Sequence, residues 1–147
     1  MQTADDNPSM TALPPELLQA YAETDYIVHH EPPFTMHIGQ ACPELQALMA
    51  EHFTLSATFI TAWNPFSQRL HNKENKARQD ELKANLKNRR RTFIDGIGQH
   101  PSNQWPGEPS VLVLGLRLDA AKSLARHYEQ HAFVWATSDG VPELVQP

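Results

Sequence analysis

The chain has 147 residues, of which 40% are hydrophobic and 20% are charged. This length suits one domain, and this composition excludes a wholly disordered protein. The 12 basic and 17 acidic residues give a net charge of −5, which excludes a uniformly basic nucleic-acid coat.

The first part of the chain reads as a loose polar tail at residues 1–13, followed by helix and strand patterns. Two prolines suited to a first helical turn favour a short helix at 14–21. β-Prone residues predict a strand at 24–30, and alternating apolar residues predict a second, edge strand at 34–38. Apolar residues near helical spacing predict another helix at 43–53.

The middle of the chain contains the two most apolar segments, at 57–63 and 110–116, which we predict to be central strands of a sheet. A polar helix at 73–88 and a strand at 92–97 are predicted between them. The segment 101–109 contains three prolines, which predict a loop with little conformational freedom.

The last part of the chain adds one helix and one strand. Asp119 is expected to cap a helix that ends near residue 129, before a final strand at 132–137. Because helices alternate with apolar strands, the pattern predicts an α/β or α+β fold. We expect one domain at 14–147, with a mixed sheet of five or six strands and three to four helices packed on it.

Other patterns narrow the class of protein. Cys42 is the only cysteine, so no internal disulfide and no cysteine pair for structural zinc can form. Its position before a helix start would lower its thiol pKa, although a single cysteine is more often an inert small residue.

The eight histidines show no metal-binding spacing and no cofactor motif is present, so we expect neither a metal nor a cofactor. Residues 1–10 are unlike a secretory signal and no run of about 20 apolar residues occurs, which predicts a soluble cytoplasmic protein.

Positive charge is concentrated in one segment. Residues 69–91 contain nine basic and three acidic residues, a net charge of +6 within an acidic chain. Most of these side chains are interpreted as a solvated helix face. The run of arginines at 89–91 follows the helix end, where the helix dipole favours cations.

The junction between the strand at 57–63 and the helix at 73–88 is rich in polar residues. In open α/β sheets, ligands bind at the carboxyl ends of strands beside helix N-termini. Helical spacing places Asn75, Arg78 and Gln79 on the face that Leu82 and Leu86 should bury. Since a buried unpaired arginine is costly, Arg78 requires an anionic partner. This is either a ligand or, in the structural interpretation, a neighbouring acid.

The proline-rich loop supplies two further candidates. Glu108 could pair with Arg78, act as a general base, or bind a ligand amine or hydroxyl. Trp105 could line a site or simply cover the core. Because the loop is stiff, it could hold both side chains in a defined geometry.

Two segments carry a resemblance to a known family. These are TAWNP at 61–65, followed by the asparagine-rich helix start, and WPGEPS at 105–110. With these segments the chain resembles a family of small bacterial proteins of unknown function over about residues 15–145. The resemblance implies a single domain with no assigned activity, and it supplies no catalytic residues. The usual Gln-Asn-Ala before the last strand is Gln-His-Ala at 130–132 here.

The functional hypothesis is a small-molecule binding protein, or a hydrolase or transferase, with a polar pocket at this junction. Its ligand would be an anionic metabolite or a nucleotide. Glu108 is the predicted catalytic residue, and the predicted ligand-binding residues are Thr61, Asn64, Asn75, Arg78 and Trp105. The alternative is a non-enzymatic module whose basic segment at 69–91 binds an acidic protein or nucleic acid.

Overall fold

One sheet of seven strands organises the computed structural model, which describes residues 13–147. Within this range the strands are β1 (Asp25–Val28), β2 (Phe34–Met36), β3 (Ser56–Ile60), β4 (Phe93–Gln99), β5 (Glu108–Leu114), β6 (Phe133–Thr137) and β7 (Glu143–Val145). The helices in this range are α1 (Pro15–Glu23), α2 (Pro43–Glu51), α3 (Asn72–Asn88) and α4 (Leu118–His127). The predicted tail lies outside the described residues, except for its last residue.

The sheet has the order β2-β1-β4-β5-β3-β6-β7, and every neighbouring pair is antiparallel. The fold is therefore α+β, and the prediction of a mixed sheet was wrong. The helical connections do join strands of the same direction, as their alternation indicated. However, β5 is inserted between β3 and β4, and β3 is inserted between β5 and β6. The rule that places ligands at the carboxyl ends of parallel strands does not apply to such a sheet.

Several element boundaries differ from the predicted ones. The strand β7 was missed because three residues on a sheet edge carry almost no periodicity. The strand β3 ends at Ile60, three residues early, and β5 begins at Glu108, which was predicted to lie in the loop. Asp119 is not the cap of α4, because the helix begins at Leu118 and the Asp119 carboxylate accepts from the next N–H at 2.9 Å.

The sheet has a core on each face. Along β5, Leu112 and Leu114 face the side that α2 covers, whereas Val111 and Val113 face α3 and α4. This alternation is the period of two expected for a strand that is buried on both faces. The central position of β3 and β5 and the edge position of β2 were predicted correctly.

The buried face of α3 is the one that the helical spacing predicted. Leu82 and Leu86 are fully buried, and the same face also buries Asn75 and Gln79. Arg78 is half-buried beside them. Buried amide side chains require hydrogen-bond partners, and the Asn75 amide and Gln79 Oε1 find theirs in the segment after β3.

Cys42 is a buried core residue rather than a reactive thiol. Burial raises the pKa of its thiol, and backbone hydrogen bonds at the start of α2 oppose this only in part. The lowered pKa expected from the helix start was therefore wrong. Within residues 13–147, no helix is both long and apolar enough to cross a membrane.

Candidate functional site

The segment after β3 leaves the sheet, and side chains of α3 replace the neighbouring strand. The Ala62 N–H donates to Gln79 Oε1 at 2.9 Å, and Arg78 Nε donates to the Ala62 carbonyl at 2.8 Å. The Asn64 N–H donates to Asn75 Oδ1 at 2.8 Å. The polar face of α3 therefore satisfies backbone groups that a sheet would otherwise pair.

Two more side chains complete this support. Thr61 Oγ1 donates to the Pro109 carbonyl at 2.6 Å and accepts from the Trp63 N–H at 3.0 Å. Gln130 Nε2 donates to the carbonyls of Trp63, at 3.2 Å, and Tyr128, at 3.1 Å. Thr61 thus holds the segment against the start of β5, and Gln130 connects it to the residues after α4.

The Arg78 guanidinium group forms hydrogen bonds and an ion pair with other residues of the chain. Besides Ala62, it donates to the Tyr128 carbonyl at 2.7 Å and pairs with the Glu129 carboxylate at 3.4 Å. It is not among the side chains that line the cavity described below. The structural interpretation, a pairing with a neighbouring acid, is therefore the one observed.

The turn at 64–67 has an unusual backbone. Asn64, Phe66 and Ser67 have positive φ values of 49°, 50° and 61°. Such a conformation costs about 1–3 kcal/mol for a non-glycine residue, and it is common at functional sites. Here the turn holds Asn64 and Ser67 at the wall of a cavity.

The cavity has a volume of about 880 Å³ and lies between α1, the segment at 61–70, and the adjacent ends of β4 and β5. This volume is in the range of small-molecule sites. Five of the six predicted site residues line it, namely Thr61, Asn64, Asn75, Trp105 and Glu108. Other polar residues that line it were not among the predicted site residues, including Tyr21, Ser67, Arg69, Asn72, His100 and Gln104.

Glu108 is the acidic group at the junction of these elements. Its Oε2 accepts from Asn64 Nδ2 at 3.2 Å. Burial raises the pKa of the Glu108 carboxyl, and the hydrogen bond from Asn64 opposes this in part. Burial, and then the nearby Glu108 charge, raise the pKa of Tyr21 to about 12, while a hydrogen bond with Ser67 lowers it.

The raised pKa of Glu108 predicts a measurable effect of pH on stability. Because the folded state holds this proton more tightly than the unfolded state, the stabilisation is present at low pH. It is lost as pH rises from the ordinary glutamate pKa through the raised one. We expect wild-type protein to lose stability relative to Glu108→Gln as pH rises above the ordinary glutamate pKa, as measured by urea denaturation. Glu16→Gln, which removes an exposed carboxylate from the same cavity, is the control, and a pH-independent difference for Glu108→Gln would contradict the assignment.

His100 connects α1 to the loop that follows β4. Its Nε2 donates to Glu23 Oε1 at 2.9 Å, because a carboxylate can only accept, and its Nδ1 lies 2.8 Å from Ser102 Oγ. Its ring meets Trp105 edge-on, at 4.6 Å between centroids. Trp105 is 52% exposed at the cavity and does not cover the core, contrary to that interpretation.

Two lysines of the basic segment at 69–91 form ion pairs with aspartates. Lys76 pairs with Asp80 at 2.8 Å, and Lys83 pairs with Asp95 at 3.1 Å. The hypothesis of an interaction surface at 69–91 stays a prediction. Among residues 13–147, no cluster of three or more His, Cys, Asp or Glu side chains could hold a metal ion.

Comparison with known families identifies the chain at the level of a family. The profile of a protein family of unknown function, DUF3293, matches residues 60–133, just over half of the chain. The chain belongs to the DUF3293 family. The resemblance to an uncharacterised family is thereby confirmed, and the DUF3293 match includes both 61–65 and 105–110. No curated protein and no solved structure matches the chain significantly.

Proposed function

We propose that this protein binds a small molecule in the 880 Å³ cavity and that Glu108 transfers a proton in a hydrolysis or group-transfer reaction. The observation that carries the proposal is the position of Glu108. Its carboxyl group lines a cavity of ligand size, and burial raises its pKa toward the range where acid–base catalysis operates.

The surrounding hydrogen bonds support this role. Asn64 reaches Glu108 with its side-chain amide, and Asn64 is itself held by three other groups. Its backbone N–H bonds to Asn75, and its Oδ1 accepts from Asn75 Nδ2 at 2.7 Å and from the Leu70 N–H at 3.0 Å. A side chain held at this many points keeps the carboxyl in one orientation, as a catalytic site requires.

The anionic group of the ligand is assigned to Arg69 in place of Arg78. Arg69 lines the cavity, is exposed, and forms no ion pair with any residue of 13–147 that would compete for it. Arg78, in contrast, already bonds two carbonyls and one carboxylate. A phosphate or carboxylate of the ligand would therefore meet Arg69 at the edge of the cavity.

A thermal-shift screen against nucleotides and phosphorylated metabolites tests the proposal. A ligand at about 100 times its Kd adds roughly 2.7 kcal/mol, which is about 5–11 °C for a chain of this size. We expect Ala20→Phe, which fills the cavity from α1, to abolish the shift, and Lys87→Ala on the exposed side of α3 to preserve it.

The catalytic part of the proposal has its own readout. With a ligand from the screen as substrate, Glu108→Gln should lower turnover by about 100-fold or more while the protein still binds it. A screen without any shift, together with salt-sensitive binding of RNA or DNA, would contradict the proposal and favour the interaction surface at 69–91.

A further inference from the structure

The charges around the cavity differ from those that the sequence predicted. Of the described lysine and arginine side chains, Arg69 alone lines the cavity, and it lies at the exposed edge. The ionisable groups of the cavity whose pKa burial raises are all acids, namely the Glu108 carboxyl and the phenols of Tyr21 and Tyr26. Among the described residues, the interior of the cavity therefore presents a carboxyl group that can carry negative charge and no lysine or arginine.

Glu108 has unused capacity as an acceptor. Its Oε2 accepts from Asn64, but its Oε1 accepts no hydrogen bond from any residue of 13–147. A half-buried carboxylate with one free oxygen gains most from a donor that also carries positive charge, because charge-assisted hydrogen bonds are the stronger kind. An anion in the same position would face a like charge.

The wall of the cavity contains several aromatic residues, and two of them, Tyr21 and Tyr26, interact electrostatically with Glu108. The residues that line the cavity include Tyr21, Tyr26, Phe59, Trp63 and Trp105. Aromatic faces attract a cation within about 6 Å and stack on planar rings. The aromatic residues and the Glu108 carboxyl group thus both favour a ligand that carries a positive charge on a planar ring system.

We propose that the inner end of the ligand carries a basic, hydrogen-bond-donating nitrogen on an aromatic ring system, an amine or an amidine, and that Glu108 Oε1 accepts from this nitrogen. The proposal rests on the proposed function, because it places the ligand in the same cavity. It adds the chemistry of the end that Arg69 does not contact. The aromatic walls hold the ring, and the carboxyl group selects its substituent.

Three indole probes that differ in charge test this inference. Tryptamine, 3-methylindole and indole-3-acetate share one ring and carry a cation, no charge and an anion. We expect the full-length protein at pH 7.5 to bind tryptamine about tenfold more tightly than 3-methylindole, and indole-3-acetate most weakly, by isothermal titration calorimetry. Glu108→Gln should weaken tryptamine about tenfold and change 3-methylindole by less than about twofold.

Two further measurements separate a direct contact from a general charge effect. Glu16→Gln removes a charge from the exposed wall of the cavity and should weaken tryptamine by less than about threefold. Tryptamine affinity should also fall as pH falls through the titration of Glu108, since only the ionised carboxylate pairs with the amine. The other ionisable groups that line the cavity are Glu16 and Tyr21 from α1, Tyr26 from β1, His100 after β4 and Arg69 before α3.

The outcomes distinguish this inference from the proposed function. Three results would each overturn the inference. These are tighter binding of indole-3-acetate than of tryptamine, equal effects of Glu108→Gln and Glu16→Gln on tryptamine binding, and no binding of tryptamine. If Ala20→Phe still abolishes the shifts found in the metabolite screen, the cavity remains the ligand site. If Ala20→Phe leaves both indole binding and those shifts unchanged, the proposed function is overturned as well.

Discussion

Replacing Asn75 with alanine is expected to lower the free energy of unfolding by about 3–4 kcal/mol, as measured by urea denaturation. Asn75 is 1% exposed and its amide makes three hydrogen bonds, to the Asn64 backbone, the Asn64 side chain and the Leu70 carbonyl. Each bond contributes about 1 kcal/mol, and its removal leaves buried groups without a partner. The turn that carries Asn64 would also lose the support that maintains its positive φ values.

Asn88→Ala provides the matched control. Asn88 lies at the exposed end of the same helix, so this variant removes the same amide without removing a buried network. We expect a change within about 0.5 kcal/mol. If Asn75→Ala were as mild as Asn88→Ala, the role of Asn75 in supporting the turn would be wrong.

Replacing Arg78 with alanine should lower the free energy of unfolding by about 3–5 kcal/mol. The variant removes charge-assisted hydrogen bonds to the Ala62 and Tyr128 carbonyls, which connect the segment after β3 to the end of α4. The pair with Glu129 adds little, because the Glu129 side chain is 47% exposed. Arg78→Lys should recover less than half of the loss, since one ammonium cannot reproduce the guanidinium geometry.

Lys76→Ala is the control for Arg78. It removes one positive charge from α3 and an exposed ion pair with Asp80, and should cost less than about 0.5 kcal/mol. If Arg78→Ala kept wild-type stability but no longer bound the ligands found by thermal shift, Arg78 would be assigned to the ligand, as the sequence predicted. Destabilisation with binding retained in the folded fraction would support the structural role.

Helical periodicity indicated the buried face of α3 but not its hydrogen-bond partners. The spacing of Leu82 and Leu86 correctly identified the buried face and therefore the inward position of Asn75 and Gln79. It did not identify what these amides bond to, because their partners are backbone groups that are exposed only once β3 has ended at Ile60. Local pattern reports the direction of a side chain, whereas its partner depends on the rest of the chain.

The cavity, too, was predictable from local sequence in some of its residues and not in others. The two polar segments that the sequence singled out contribute five residues to one cavity, namely Thr61, Asn64, Asn75, Trp105 and Glu108. The wall formed by α1 was missed, since no short-range signal places Tyr21 near Glu108, 87 positions later in the chain. Arg69 was counted only as part of the basic segment, because its place at the cavity depends on the turn at 64–67.

The sequence by itself determined the central strands, the buried face of α3 and the polar segments from which a site is built. These properties follow from hydrophobic period and composition, which act over a few residues. The tertiary structure alone decided that β5 inserts between β3 and β4, that α1 lines the cavity, and that Arg78 bonds residues about 50 positions away. Long-range pairing depends on the competition among all donors and acceptors in the folded chain, so the sequence could not show that Arg78 bonds the Ala62 and Tyr128 carbonyls.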